Sequence, residues 1–234
     1  MILELENVTK LYKNGRGAED VSFALDSGEV LGLLGPNGSG KTTIMKAIAG
    51  LVRIQSGSIR ICGSDAVSLH EKAMANVGCL IESHALYAHM TARQNLQMAA
   101  RFYDNANVDD ALRLVGMEKY GNDKVNTFSL GMKQRIGLAL ALISKPRLLI
   151  LDEPANGLDI EGMVYVREVI TQAAENGAAV LITSHLAAEI QQCATKAAVI
   201  SEGRLLGECK SMDKILTEFE TLEDYFIAMK RGAL

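Results

Sequence analysis

Gly35-Pro36-Asn37-Gly38-Ser39-Gly40-Lys41-Thr42-Thr43 decides how the rest of this chain is to be read. It fits G-x-x-x-x-G-K-[ST]. Before it stands Glu29-Val30-Leu31-Gly32-Leu33-Leu34, an apolar run of strand length, and after it Ile44, Met45, Ala47, Ile48 and Leu51 recur at helical spacing. A glycine-rich loop that turns a strand into a helix is a phosphate cradle. Gly35, Gly38 and Gly40 are expected to take dihedrals closed to residues with a Cβ, so that successive N–H groups turn inward around a polyphosphate. The helix adds its unpaired N-terminal donors and the positive end of its dipole. Lys41 supplies a point charge for the outer phosphates, and the Thr42 hydroxyl is a ligand for Mg²⁺. Pro36, Asn37, Ser39 and Thr43 complete the loop. A glycine-rich turn that merely happens to end in Lys-Thr would leave the flanking strand and helix unexplained.

Working outward, three more apolar runs end in polar residues. Leu148-Leu149-Ile150-Leu151, after the helix stop Lys145-Pro146, reads as a central parallel strand, and Asp152 and Glu153 stand at its C-terminal end. Ala178 to Ser184 reads as a buried strand ending at His185, and Val77 to Ile81 as another ending at Glu82. Ligands of parallel α/β sheets collect at the C-terminal ends of strands, so Glu82, Asp152, Glu153 and His185 are expected to converge on the phosphate loop. Asp152 is placed to hold Mg²⁺, and Glu153 to polarise or deprotonate water attacking a γ-phosphate. That pair predicts hydrolysis as well as binding. On the residues alone, other readings stand beside these. Asp152 and Glu153 also suit an acidic cap before a later helix, His185 a polar residue leaving the core, and Tyr12, whose ring suits a purine, ordinary packing.

The remaining segments assemble round this core. Leu3 and Leu5, then Val21, Phe23 and Leu25, alternate with polar residues as half-buried strands joined by Lys13-Asn14-Gly15-Arg16-Gly17, and Ser58 to Gly63 can join the same antiparallel edge layer. From about 84 to 144 the pattern is helical, broken at Asn105-Ala106-Asn107 and Tyr120-Gly121-Asn122-Asp123. A helix through Val164, Val166, Val169 and Ile170 leads to Gly177. Lys196 to Ile200 and Arg204 to Glu208 suggest a terminal hairpin, and Leu216, Phe219, Leu222, Phe226 and Met229 one amphipathic C-terminal helix, read as packing surface.

Composition narrows the class. The 234 residues, 48% apolar, suffice for one large α/β domain or two small ones, and 24 basic against 28 acidic residues, with no long basic run, make nucleic acid an unexpected partner. Cys62, Cys79, Cys193 and Cys209 lie far apart, without C-x-x-C or histidines at ligand spacing, and read as reduced thiols of a cytoplasmic protein. The N-terminus carries acids where a signal peptide has bases, and the longest apolar run, Ile136 to Ile143, is only eight residues. Work at a membrane is therefore expected to proceed by docking to another chain.

Taken in order, these stretches resemble the ATP-binding subunit of an ABC transporter over almost the whole chain. Gly35 to Thr43 is similar to Walker A, Leu148 to Glu153 to Walker B with its catalytic glutamate, Asn156-Gly157-Leu158-Asp159 to the D-loop, and His185 to the switch histidine. Tyr12 matches the aromatic residue that stacks on adenine. The resemblance implies an α/β P-loop NTPase parallel sheet core, with an antiparallel β edge layer and an inserted helical subdomain at about 84–144. A C-terminal helical extension follows at about 212–231, all within one ABC ATPase domain.

Two positions depart from the usual family pattern. Where L-S-G-G-Q is usual, this sequence has Phe128-Ser129-Leu130-Gly131-Met132, followed by Lys133-Gln134-Arg135, so Ser129 and Gly131 match and Leu130 and Met132 do not. In the family this element opens a helix and caps the γ-phosphate of ATP held by the opposite subunit. Glu82 stands where the family usually has a glutamine that contacts Mg²⁺ and the attacking water. A carboxylate there can ligate metal but cannot donate the amide hydrogen bond. The two departures together resemble the bacitracin and lantibiotic resistance branch.

The resemblance thus implies Mg²⁺ and ATP as cofactors, Asp159 and the signature residues at a dimer-bound nucleotide, and a second ATPase subunit. It also implies an integral membrane permease contacted through the helical block near His84 to Asn95, and a peripheral place on the inner face of the cell membrane. A soluble ABC-type switch acting on a non-membrane partner is the alternative, although no second ATPase module or long coiled-coil insertion is present. A monomeric P-loop kinase or GTPase has no use for Ser129-Leu130-Gly131 and Asp159, and no N-K-x-D for guanine occurs.

Overall fold

Apolar residues fill both faces of the strands that end at the expected site, and that requirement sets the layers. In the computed structural model, which describes residues 1–82 and 86–232, nine-residue strands β1 (Leu3–Leu11) and β2 (Gly17–Leu25) come first. They are followed by β3 (Val30–Leu34) and helix α1 (Lys41–Ile48). Next come β4 (Ser56–Ile61), β5 (Ser64–Asp65), the short α2 (His70–Met74) and β6 (Val77–Leu80). Helices α3 (Ala92–Ala100), α4 (Val108–Leu114) and α5 (Leu130–Leu142) precede β7 (Leu148–Asp152). Then α6 (Ile160–Glu175), β8 (Ala179–Thr183), α7 (Ala187–Gln191) and β9 (Lys196–Ser201) complete the alternation. The last elements are β10 (Arg204–Leu205), β11 (Lys210–Ser211), α8 (Met212–Glu218) and α9 (Leu222–Arg231).

Two sheets result. One is antiparallel, in the order β2-β1-β4-β5, with Leu5 opposite Phe23 on one side and Ile59 on the other. The larger runs β10-β9-β3-β8-β7-β6, and its neighbours from β9 through β6 are all parallel, while β10 and β11 add antiparallel to β9. Alternate residues of these strands enter different cores. Leu149, Leu151, Val180 and Ile182 join a cluster with Leu96, Leu112 and Ile136 of the inserted helices and Val166 and Ile170 of α6. Leu148, Ile150, Leu31, Leu33 and Leu181 join another with α1 and the antiparallel sheet. Because both faces are covered, these strands read in sequence as continuous apolar runs instead of alternations.

The helical block lies between β6 and β7, and its helices start where side chains cap them. Thr91 and Gln94 form a capping box at α3, and the Asn107 side chain accepts from the N–H groups of Asp109 and Asp110 at α4. Position 84, where the block was expected to begin, lies outside the described residues. Asn95, the far limit of the expected permease contact, is buried and bonds the backbone of Tyr87 and Thr91. Its side chain secures the fold of the segment.

Three expectations need correcting. β6 is the edge of the parallel order, and Cys79 within it is exposed, so this strand is only half covered. The terminal hairpin is a two-residue strand on β9, which is itself a full parallel member of the large sheet through β3. The C-terminal amphipathic helix is two helices, since Phe219 is extended (φ −133°, ψ 147°) and the Thr221 hydroxyl accepts from the Asp224 N–H to start α9 anew. The apolar stripe persists across the break because Leu222, Tyr225 and the flanking Phe219 and Phe226 pack on one core. All four cysteines are free thiols, and no helix among the described residues is long and apolar enough to cross a membrane.

Candidate functional site

The phosphate loop joins β3 to α1 as its sequence requires, with a difference in how the glycines contribute. Gly38 and Gly40 have φ of 79° and 109°, in the region that favours glycine, and a Cβ at Gly40 would also lie 2.4 Å from the Gly17 carbonyl oxygen. Gly35 is not left-handed. Its small size is needed for close approach, because a Cβ there would come within 2.4 Å of the Ile200 carbonyl oxygen and 2.5 Å of Ser39 Oγ. Ser39 is buried, and its backbone carbonyl accepts from Gly203, which ties the loop to the β9–β10 turn.

Lys41 opens α1 and is buried, with Nζ donating to the carbonyls of Gly35 at 2.6 Å and Pro36 at 3.1 Å. Burial pulls its pKa below the ordinary lysine value, while the nearby carboxylates of Glu153 and Asp152 push the other way. One residue on, Thr42 Oγ1 donates to Asp152 Oδ2 at 2.8 Å. The other carboxylate oxygen of Asp152 accepts from Thr183 Oγ1 at 2.6 Å, and Thr183 Oγ1 in turn accepts from the Glu153 N–H at 3.0 Å. Strands β7 and β8 and helix α1 are thereby locked together at one point. Thr42 and Asp152 put a hydroxyl and a carboxylate side by side, the hard oxygen donors that Mg²⁺ takes, so the donor set fits that ion.

Glu153 follows with φ 49°, and its Oε2 lies 3.4 Å from His185 Nδ1 and 3.3 Å from Asn156 Nδ2. The strand-end histidine and the Walker B glutamate are therefore neighbours, as expected. Thr42, Asp152, Glu153 and Glu82 all line one cavity of about 370 Å³, together with Leu130, Gln134 and Asn156. Gln134 is buried and donates from Nε2 to the Pro154 carbonyl, fastening α5 to the segment after Glu153. Glu82 is exposed, has φ 62°, and pairs with Lys46 Nζ at 2.6 Å. A second cavity of about 290 Å³ carries Tyr12, Asn37, Gly38, Gly40, Lys41, Thr42, Thr43 and Glu153 on its wall. Tyr12 thus shares a cavity with the phosphate loop.

Sequence reasoning missed three participants. Asn14 and Arg16, read only as a loop, line the Tyr12 cavity, and Thr183 bridges Asp152 to Glu153. The loop composition gave no signal for the first two. Thr183, the last residue of an otherwise apolar strand facing the site, was recognisable as a strand-end polar residue.

Ser129 and Gly131 are not brought to the phosphate loop. Ser129 caps α5, its Oγ accepting from Met132 N–H at 3.2 Å, and Gly131 packs so that a Cβ would be 3.2 Å from Leu158 Cδ2. Asp159 likewise caps α6 through the Gly162 N–H at 2.8 Å. Neither Ser129, Gly131 nor Asp159 lines either cavity.

This arrangement has known counterparts. The family model described as ABC transporter matches residues 18–156, from within β2 through the phosphate loop and Walker B. The chain belongs to the ABC transporter family. Within it, this subunit is an ATP-binding component and an ABC ATPase. An uncharacterised ABC transporter ATP-binding protein of Bacillus subtilis (strain 168), YhcH, is 37% identical over 98% of this chain and 76% of its own length. The bacitracin transport ATP-binding protein BcrA of Enterococcus faecalis is 36% identical over 98% of this chain and 77% of its length. The lantibiotic transport ATP-binding protein SrtF of Streptococcus pyogenes is 35% identical over 96% of both. A solved ATP-binding subunit of an ABC transporter superposes with a TM-score of 0.88 at 27% identity, covering 98% of this chain and 100% of that one. A dimeric ATP-binding cassette in a post-hydrolysis state, bound to ADP and Pi, shares the fold with a TM-score of 0.81 at 23% identity over 90% of this chain and 99% of its own.

Proposed function

We propose that this subunit hydrolyses Mg·ATP to drive export or membrane clearance of a peptide antibiotic, of lantibiotic or bacitracin type, through a separate membrane permease. Residues 1–234 act as one ATPase domain in this reading, with the helical block of about 84–144 and the extension of about 212–231 as parts of it. The observation that carries it is the chain of bonds from Thr42 through Asp152 and Thr183 to Glu153, with His185 beside the glutamate. Phosphate binding, metal ligation and water activation need those groups at one point, and a binding module would need only the first.

Each residue then has a role. The amides of residues 37–41 and the Lys41 ammonium bind the phosphates, Tyr12 stacks on the base, and Thr42 and Asp152 would hold Mg²⁺. When bound, the ion neutralises charge on the β- and γ-phosphates. Glu153 orients the attacking water and accepts its proton, while His185, beside the glutamate, is assigned to fix it and to hydrogen-bond the γ-phosphate. Glu82 contributes a further carboxylate to the same cavity.

Ser129, Gly131 and Asp159 lie off the cavities of their own chain, which supports their use by a second copy: two chains head to tail, each closing ATP held by the other. Closure passes to a permease through the inserted helices, so the chain works peripherally at the inner face of the membrane. Relatives named for bacitracin and lantibiotic transport support the substrate class.

Two experiments test this. Glu153→Gln should bind ATP while hydrolysis falls by about 10²–10⁴-fold; the parent rate in that variant would remove the assigned base. The tagged chain should come out of detergent-solubilised host membranes with a multi-spanning protein in comparable amount, and its loss should sensitise the host to lantibiotics or bacitracin. Recovery with ribosomal or DNA-bound proteins instead would favour a soluble switch.

A further inference from the structure

Three carboxylates, Glu82, Asp152 and Glu153, border the cavity next to Thr42. Two have partners from the site itself. Asp152 is bonded by the Thr42 and Thr183 hydroxyls, and Glu153 stands against Asn156 and His185. Glu82 is bonded differently, by the Lys46 ammonium at 2.6 Å. Lys46 lies on α1 four residues beyond Thr42, and positions four apart share a helix face. The helix that begins with the phosphate-binding lysine therefore carries, one turn on, a second lysine that reaches across to the end of β6.

The geometry gives this contact a purpose. A triphosphate at Lys41 brings several negative charges to a cavity already edged by Asp152 and Glu153, and a bare third carboxylate would oppose it. The backbone at residue 82 sits at φ 62°, an uncommon conformation for a residue with a Cβ. As an exposed pair the contact contributes little to folding, because the Glu82 side chain is 59% solvent-accessible. Its effect lies in the charge presented to the nucleotide.

We infer that Lys46 is a positioning residue for the ATPase reaction: its ammonium holds the Glu82 carboxylate against α1 and cancels its charge, so that position 82 meets the nucleotide as part of a neutral pair. This rests on the hydrolytic reading of the site given above. Lys46 touches no reacting atom in this scheme and acts only through Glu82. A Lys46–Glu82 unit is thereby the counterpart of one uncharged side chain.

The test is a double-mutant cycle on the full chain, reading both the Kd of a fluorescent ATP analogue and the KM and kcat of hydrolysis. Lys46→Met should raise Kd and KM about fivefold at low salt, an effect that shrinks as ionic strength rises, since charge and not packing is lost. Lys46→Arg should stay within about twofold of the parent, because it keeps the cation. In a Glu82→Gln background, Lys46→Met should change Kd and KM by less than about twofold, there being no carboxylate left to neutralise. An equal rise in both backgrounds would show that Lys46 acts on the nucleotide or the fold directly, and no rise in the parent background would show that the pair carries nothing; either overturns the inference. Failure of the parent chain itself to bind the analogue would instead overturn the reading of the site.

Discussion

Two helix N-termini bear on the proposed nucleotide site, and they are finished in different ways. Helix α1 begins behind Gly40, which is left-handed at φ 109° and offers no side-chain cap. Helix α5 begins behind Ser129, an extended residue whose hydroxyl accepts from the Met132 N–H. The first therefore leaves its orphan donors to a ligand, whereas the second satisfies one of them internally. Around α1 the chain also assembles Lys41, Thr42, Asp152 and Glu153; α5 sends Leu130 and Gln134 to the wall of the cavity that the last three line, while Ser129 and Gly131 lie off it. One end is left open, with no side-chain cap; the other is capped, and in the proposed dimer it would meet the nucleotide held by a second copy.

The largest effect should come from the uncapped end. Lys41→Met should abolish measurable ATP binding by equilibrium titration while leaving the thermal transition near the parent value, because a buried ammonium that burial disfavours is removed. The same lysine sets a pH limit. Its folded pKa is lowered, so the unfolded chain holds the proton to higher pH, and stability gains slightly as pH rises through that window. Nucleotide affinity runs the opposite way. It should decline on the alkaline side before an ordinary lysine, at 10.5, would lose its charge, as titration of the parent chain with nucleotide across that range would show.

Next in size is Gly40→Ala, which combines a left-handed backbone with a Cβ 2.4 Å from the Gly17 oxygen. Strain of about 1–3 kcal/mol is expected. At about 2–4 °C per kcal/mol for a chain of this size, that lowers Tm by several degrees. Smallest is Ser129→Ala at the capped end, costing about 1 kcal/mol of stability. It should leave ATP binding by a single chain unchanged. A loss of affinity there equal to that at Lys41 would dissolve the contrast between the two helices.

The same contrast explains what could be read from the sequence. The phosphate loop was legible because its function is local: spacing of Gly38, Gly40, Lys41 and Thr42 fixes backbone and donors together. Strand ends were legible because apolar runs stop at Asp152 and just short of His185. Convergence of Asp152, Glu153 and His185 followed because all three stand at or just past strand C-termini. Contacts between distant segments left no such trace. Nothing in the spacing of Lys46 and Glu82, 36 residues apart, announces their ion pair. Arg16 and Asn14 reach the Tyr12 cavity only because β1 and β2 pair there. The split between α8 and α9 was hidden by an apolar stripe that both helices share, although Thr221-Leu222-Glu223-Asp224 carries a cap signature that outweighs the stripe.

One measurement bears most directly on the claim that α1 of one copy and α5 of another complete a shared site. Sedimentation of Glu153→Gln should show a monomer alone and a dimer with saturating Mg·ATP, the dimer being lost when Ser129→Asp places a carboxylate at the head of α5. A monomer that binds ATP at saturation, or a dimer indifferent to both ATP and residue 129, would contradict it.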